Sequence, residues 1–336
     1  MTTQPAVGPL AAPELPRVYR IPCPFGDGGI VHVYYVDAPE PALIDAGVKG
    51  SAAGVIAPAL AAAGFELAGV RHLFNTHGHW DHMGGNEDVR AIATRARTYA
   101  HHEDSHLLGD VERHVGGYVT YPMRILGDDS SLELMTATLR RSVGTPTPVD
   151  VAVQDGGSYG LGGGVALRAI HTPGHSYGST SYLLEGAEGG SGALFTGDGV
   201  QGLGSRPGQL PLIFDDSRAY RETIARLAEV PFSALCLGHS FCGLSPESGR
   251  DPVRKGEAAR VYLEESGGAA KAIEEAMRSV IAGVQDGGDF LPVARATLER
   301  LAEPMGVELD EIGLSTRSLA TLHAFYRELT GAAAPV

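Results

Sequence analysis

Cysteine is scarce in this chain: three in 336 residues, Cys23, Cys236 and Cys242. Their odd number and wide spacing fit neither a disulfide framework nor a thiolate zinc site, and suit a reducing compartment. Basic residues are short as well, 26 Lys and Arg against 40 Asp and Glu, for a net charge of −14. Phosphate binding depends on neutralisation by Lys and Arg, so nucleic acid is not an expected partner, nor is an anionic membrane surface. No apolar stretch approaches the length of a membrane span. The opening "MTTQPAVGPLAAPELP" lacks a basic n-region and an unbroken apolar h-region, and reads as a mobile tail over residues 1–16 rather than a signal peptide. No period of 20 to 50 residues emerges, which argues against a solenoid. No cysteine sits in a polar cluster of the kind that surrounds a nucleophile. These absences lead to the expectation of a cytoplasmic globular protein acting on a small molecule.

The apolar fraction, 43%, is ordinary for a globular chain, and the length is enough to bury a large core. Strand-like runs occur at "VHVYYVD", "ALIDAG", "VRHLFNT" and "ARTYAHHED", the last expected to bring Tyr99 to the surface. Between the second and third of these, "SAAGVIAPALAAAG" reads as a helix with Ser51 as N-cap and Gly64 as the C′ residue. Residues 107–147 have a different texture and read as a mainly helical insertion. Strands resume at "VALRAIHTPGH", "STSYLLEG" and "GALFTGD", separated by glycine-rich turns such as "GGSYGLGGG". The amphipathic helix "SRAYRETIARLAEV" follows, then the short strand "SALCLGHS". Beyond Ser245 strand signals stop and three helical patterns follow, so residues 246–336 read as an α-helical module appended to a catalytic domain at 17–245. Strands alternating with helices in two halves suggest a layered α/β/β/α sandwich.

The densest chemistry lies in "FNTHGHWDHMGGN", where three histidines and an aspartate occupy six positions, His77 to His82. Imidazole nitrogens and carboxylates are the ligands of zinc and similar first-row ions. His77 and His79, two apart in an extended segment, point to one side. Asp81 and His82 follow a turn and cannot converge on the same point, so the spacing suggests neighbouring ions rather than one. Two ions need more donors, and apolar strands ending in glycine supply them: His171 and His175 in "HTPGHSYGS", Asp198 in "LFTGDG", His239 in "CLGHS".

The ordered set "THGHWDH", "HTPGH", "FTGD" and "LGH" resembles the metallo-β-lactamase superfamily across roughly Val18 to Ser245. The resemblance implies a four-layer αββα sandwich. It also implies one metal on His77, His79 and His175, a second on Asp81, His82 and His239, and Asp198 bridging both. It places the ligand at His175 and leaves His171 to orient a ligand or the turn. Asp45 in "LIDAG" matches a recurrent acidic position and reads either as outer hydrogen bonding beneath the metals or as a strand-end turn carboxylate. His32, His72, His101, His102, His106, His114 and His323 read as structural or surface histidines. Trp80, the one tryptophan, is expected to pack beside the site and shape the cleft.

The expected cofactors are two divalent ions, zinc first, with iron or manganese as alternatives. A metal-bridging hydroxide would attack an ester, thioester or lactone carbonyl. The retained Asp81, a catalytic residue in this reading, resembles the glyoxalase II, lactonase and thioesterase branches. An iron-dependent oxidoreductase similar to persulfide dioxygenases would need only His77, His175 and Asp198; β-lactam or phosphodiester hydrolysis is the remaining alternative. Tyr177 is a candidate donor to a developing oxyanion. Tyr118, Tyr121, Met123, Leu126 and Tyr326 are expected to wall a pocket for an acyl or aromatic substrate, or else to pack the insertion onto the core. The helical tail would cover that pocket or mediate a homodimer.

Overall fold

Alternation of period two is visible at once in the strand Gly29–Val36. Val31, Val33 and Tyr35 face one apolar cluster while Tyr34 and Val36 face another. A strand buried on both faces must lie inside a layered structure. The computed structural model describes residues 16–26, 28–117, 119–186, 192–205, 209–284, 288–305 and 316–333. The expected tail at 1–16 falls almost wholly outside them, as does Tyr118.

A first six-stranded sheet runs in chain order: β1 (Val18–Phe25), β2 (Gly29–Val36), β3 (Ala42–Ile44), β4 (His72–Phe74), β5 (Arg97–His101) and β6 (Val151–Val153). The second, also six-stranded, comprises β7 (Ser158–Gly160), β8 (Ala166–His171), β9 (Thr180–Glu185), β10 (Ala193–Gly197), β11 (Ala234–Leu237) and β12 (Val253–Lys255), ordered β12-β11-β10-β9-β8-β7. β3, β4, β5 and β6 pair in parallel, as do β10 and β11. Tyr34, Ile44, Phe74 and Tyr99 of the first sheet meet Leu167, Tyr182, Phe195 and Cys236 of the second in one apolar layer.

Helices cover both outer faces. A π-helical turn at Ala52–Ile56 leads into α1 (Ala57–Ala62); α2 (Trp80–Met83) and α3 (Asn86–Ile92) follow β4. Ile56, Leu60 and Val89 are fully buried against Ile21, Val33, Leu43 and Leu73, each such side chain contributing about 1.5–3 kcal/mol of transfer free energy. The segment expected to be a helical insertion contains α4 (Val111–Gly116), α5 (Tyr121–Leu126) and α6 (Asp129–Ser142). α7 (Ser217–Ala228), α8 (Gly256–Ile281), α9 (Phe290–Met305) and α10 (Thr316–Thr330) lie on the second sheet. The result is the expected α/β/β/α order.

Several expectations need correction. The sheet does not end at Ser245, because β12 pairs with β11. Leu298, Leu322 and Phe325 share a core with Ile170, Leu194 and Leu235. The helices after 245 form the expected C-terminal helical module, and they pack directly on the second sheet. Tyr99 is 4% exposed and stacks on Phe74 at 4.2 Å instead of reaching the surface. The glycine-rich stretch expected as a turn includes β7. Gly64 is left-handed as expected (φ 85°), but the Ser51 hydroxyl accepts from Val48 N and does not cap the helix.

Candidate metal centre

The loops after β4, β8, β10 and β11 meet at one edge of the sandwich. After β4 the chain stays extended through His79 and then turns helical, with His82 N and Met83 N both bonding His79 O. His77 and His79 are thereby separated from Asp81 and His82. Potential ligand atoms of His77, His79 and His175 lie within 4.8 Å of one another, as do those of His77, His82 and Asp198, and of Asp81, His82 and His239. The Asp198 carboxylate lies between the groups: Oδ1 is 3.4 Å from His82 Nε2, and Oδ2 is 3.5 Å from His239 Nε2 and 3.7 Å from His175 Nε2. Asp81 Oδ2 is 3.3 Å from His239 Nε2. Every metal ligand expected from the sequence is in this cluster.

Outer hydrogen bonds fix which nitrogen each ring presents. His82 Nδ1 donates to Asp45 Oδ2 at 2.8 Å, His175 Nδ1 to the Leu212 carbonyl at 2.6 Å, and His239 Nδ1 to the Ile30 carbonyl at 2.6 Å. His77 Nδ1 donates to Thr76 Oγ1 at 3.0 Å, and that hydroxyl donates to Asp45 Oδ2 at 2.8 Å. With Nδ1 engaged, the Nε2 lone pairs of these four rings face inward, as metal-binding imidazoles require. Asp45 also accepts from Thr76 N at 2.8 Å and sits at φ 64°, a left-handed conformation tolerated best by Gly, Asn and Asp. Of its two sequence readings, the outer hydrogen-bonding one matches the geometry.

Whether this cluster fits divalent ions can be judged from its unsatisfied atoms. His77 Nε2, His175 Nε2 and Asp198 Oδ1 are buried without a hydrogen-bond partner, an arrangement that costs about 1–3 kcal/mol per group unless a ligand satisfies it. Burial pushes His77, His79 and His175 below the ordinary histidine range, so they are neutral, as ligands must be. Burial acts the same way on His82 and His239, but the Asp198 carboxylate, with Asp45 and Asp81, outweighs it and raises both. Carboxylates that favour positive charge at these two rings also favour bound cations. The donor set fits. Gly238 keeps the space open: a Cβ there would lie 2.5 Å from Asp198 Oδ1 and 2.7 Å from His82 Cε1.

Two supporting residues carry no motif and were not anticipated. Asp104, 2% exposed, accepts from Gly78 N and Gly178 N at 2.8 Å and from Ser176 Oγ at 2.7 Å, tying the loop of His77 and His79 to the turn of His175. Gln201 donates to the carbonyls of Asp198 (3.0 Å) and Leu212 (3.2 Å) and accepts from Leu212 N at 2.8 Å. α10 grips the same segment: Thr321 Oγ1 accepts from Ile213 N and donates to the Pro211 carbonyl, and Arg327 donates to the Phe214 and Asp215 carbonyls.

The cluster forms the floor of a cavity of about 630 Å³. Trp80 lines it and meets Phe25 edge-on at 5.2 Å, beside the site as expected. Val119, Pro122, Met123 and Met135 of the insertion wall it, but Tyr121, Leu126 and Tyr326 do not. Tyr121 instead donates to the Ala320 carbonyl and Tyr326 to that of Gly288. The tail helices contribute no lining residue among those described; they support the wall from behind. Tyr177 is 47% exposed and does not line the cavity, so the structure does not bring it to the site. His171 Nε2 donates to the Tyr177 carbonyl and its ring stacks on His101, which makes it a brace for the turn.

A family model described as the metallo-beta-lactamase superfamily matches residues 26–239. A stretch of 139 residues is 27% identical to "Hydroxyacylglutathione hydrolase cytoplasmic" of Arabidopsis thaliana, covering 41% of this chain and 38% of that protein. Another of 153 residues is 29% identical to "Atrochrysone carboxyl ACP thioesterase" of Aspergillus fumigatus, covering 46% and 25%. This chain thus spans less than half the length of either relative. A metallo-beta-lactamase family protein from Thermus thermophilus superposes with a TM-score of 0.64 at 21% identity over 95% of both chains, a likeness of fold alone. No helix among the described residues is long and apolar enough to cross a membrane.

Proposed function

The chain belongs to the metallo-beta-lactamase superfamily, and from that premise we propose that it hydrolyses a carboxylic thioester, ester or lactone at a paired divalent-metal centre. The observation that supports this most is the convergence of His77, His79, His175, Asp81, His82, His239 and Asp198, with buried polar atoms lacking partners, beneath an apolar cavity. His77, His79 and His175 would hold one ion and Asp81, His82 and His239 the other, with Asp198 between them. Zinc is the ion proposed. Divalent ions so bound make water nucleophilic at neutral pH and polarise a carbonyl.

The chain's own groups supply the rest. Leu212 and Ile30 carbonyls, Thr76 Oγ1 and Asp45 hold the imidazoles in the tautomer that faces the substrate. Phe25, Trp80, Leu212 and Phe214 exclude water from the acyl group. Of the two carboxylates facing the cavity, Asp81 is the more open, its side chain 14% exposed against 6% for Asp198. Asp81 would therefore take the proton released by the attacking water and relay it to the leaving oxygen or sulfur. Two relatives are named for cleaving hydroxyacylglutathione and as a thioesterase, which favours a thioester among the three classes.

The oxidoreductase reading needs one iron on three ligands and gives no role to the remaining cluster. Asp45 and the Ile30 carbonyl orient His82 and His239 as carefully as the first set is oriented, which favours the paired site. The test is a panel of acyl thioesters, aryl esters and lactones assayed with zinc-loaded protein. Turnover that chelation abolishes and Asp81→Ala lowers by ~100-fold or more is expected. No turnover of any class by metal-loaded protein contradicts the proposal.

A further inference from the structure

The cavity wall is apolar apart from a few amides and hydroxyls, and among its described lining residues one charged side chain is not a proposed ligand: Arg250. Its Nε donates to the Ser240 carbonyl at 3.4 Å and its Nη2 to the Ser205 carbonyl. Both acceptors are neutral, and among the described residues no carboxylate pairs with it. Asp251, its neighbour in sequence, is turned to Arg20 at 3.8 Å. A guanidinium has five N–H donors in a fixed fork that matches carboxylate or phosphate. Held at two points and with no counter-ion among the described residues, it keeps donors and charge available at the cavity rim.

The rim itself is firm. Leu203 N donates to the Cys242 carbonyl at 2.7 Å and Cys242 N to that of Gly204 at 3.1 Å, stitching the loop after β10 to the loop after β11. Arg254 anchors the second loop through the Phe241 carbonyl at 3.2 Å. In a chain of net charge −14, an anionic substrate meets general repulsion, so a lone cation above apolar walls has a local effect the rest of the surface cannot supply.

We infer that Arg250 selects substrates bearing an anionic group, carboxylate or phosphate, on the part of the molecule that reaches the cavity rim. This rests on the hydrolase reading and specifies its substrate class. Arg250 is tied to the carbonyl of Ser240, one residue or about 3.8 Å of chain from His239. In this proposal the anionic group sits on the leaving side of the molecule, within reach of the loop that carries His239, while the apolar acyl part rests on Met123, Met135, Leu210 and Phe241.

The test compares matched thioesters with the metal-loaded protein: acyl 3-mercaptopropionate against its neutral amide, and acyl phosphopantetheine against acyl pantetheine. The carboxylate pair puts the charge near the reacting bond and the phosphate pair puts it far away. Wild type is expected to favour the anionic member of the near pair by ~10-fold or more in kcat/KM, chiefly through KM. Arg250→Ala should bring that ratio close to one, Arg250→Lys should retain part of it, and added salt should shrink it. A preference confined to the phosphate pair moves the anion away from the reacting bond and overturns the placement. A wild-type ratio near one in both pairs, or a ratio that survives Arg250→Ala, overturns the inference itself. Should Arg250→Ala melt early, Arg250→Gln, which still donates to neighbouring carbonyls, gives the same reading. If nothing is hydrolysed the hydrolase reading fails, and Arg250 is judged separately by calorimetry with the non-hydrolysable amide analogues. Tighter binding of the anionic analogue, lost in Arg250→Ala, supports its role; equal affinities refute it.

Discussion

Asp45→Asn isolates what the outer hydrogen bonds do, because the substitution leaves the backbone alone. Asp45 sits at φ 64°, where asparagine is as well tolerated as aspartate. The side chain keeps its size, and its remaining oxygen can still accept from Thr76 N, 2.8 Å away. What changes is Oδ2, which accepts from His82 Nδ1 and from Thr76 Oγ1 at 2.8 Å each. An amide nitrogen there turns an acceptor into a donor facing two donors. Relief requires the Thr76 hydroxyl to reverse toward His77 Nδ1 and His82 to lose its Nδ1 proton. Either change moves a proton to Nε2, the atom meant for the metal. One substitution thus disturbs a histidine of each set. The loss of outer partners of this kind lowers metal affinity by roughly 10- to 100-fold, and a buried donor left unpaired costs about 1–3 kcal/mol of stability. Competition of the purified variant against a fluorescent zinc chelator reads the affinity, and melting of metal-free protein reads the stability. Wild-type affinity for both ions in Asp45→Asn would refute the tautomer argument.

Gly178→Ala should separate the two loops that Asp104 joins, since the added Cβ would lie 2.5 Å from Asp104 Cγ; a lower melting temperature with weakened binding of one ion is expected, and an unchanged protein counts against the brace. Burial, with the Asp104 carboxylate next, lifts Asp215 to about 7 from its ordinary 3.8. Between those values the folded chain holds a proton that the unfolded chain has released, so stability falls as pH rises from about 4 through 7. Asp215→Asn should therefore melt higher than wild type above pH 7 and equally below pH 4, and parallel melting profiles across that window contradict this. Thr321→Val removes the hydroxyl that Ile213 N and the Pro211 carbonyl share; because that segment holds His175, the variant should lose activity although it lies outside the cavity, and full activity would show that α10 is dispensable for the site.

The candidate ligands were legible because they lie in four short motifs that follow apolar strands, in a residue order few other sites need. The layer order was legible for another reason: apolar strand runs alternate with helical patterns in two halves, which a layered sandwich explains. What escaped the sequence was whatever depends on tertiary meeting. Asp104 sits in "HHEDSH" with nothing to distinguish it from a surface acid; its importance arises only when Gly78 and Gly178 arrive on either side. β7 and β12 are three residues each, too short to show alternation, so neither was read as a strand. Tyr177 was named from its distance along the chain to His175, yet the turn braced by His171 leaves it half-exposed and outside the cavity. Tyr121 and Tyr326 were left between walling a pocket and packing onto the core; the second holds, Tyr121 bonding the Ala320 carbonyl of α10 and Tyr326 the Gly288 carbonyl before α9.

The central claim is a paired metal centre, and metal content per chain tests it most directly. Elemental analysis of purified protein, reconstituted with excess zinc and desalted, should give two ions per chain, falling to about one in a variant with both Asp81 and His239 replaced by alanine. A single ion in the wild type, unchanged by that double replacement, contradicts the account.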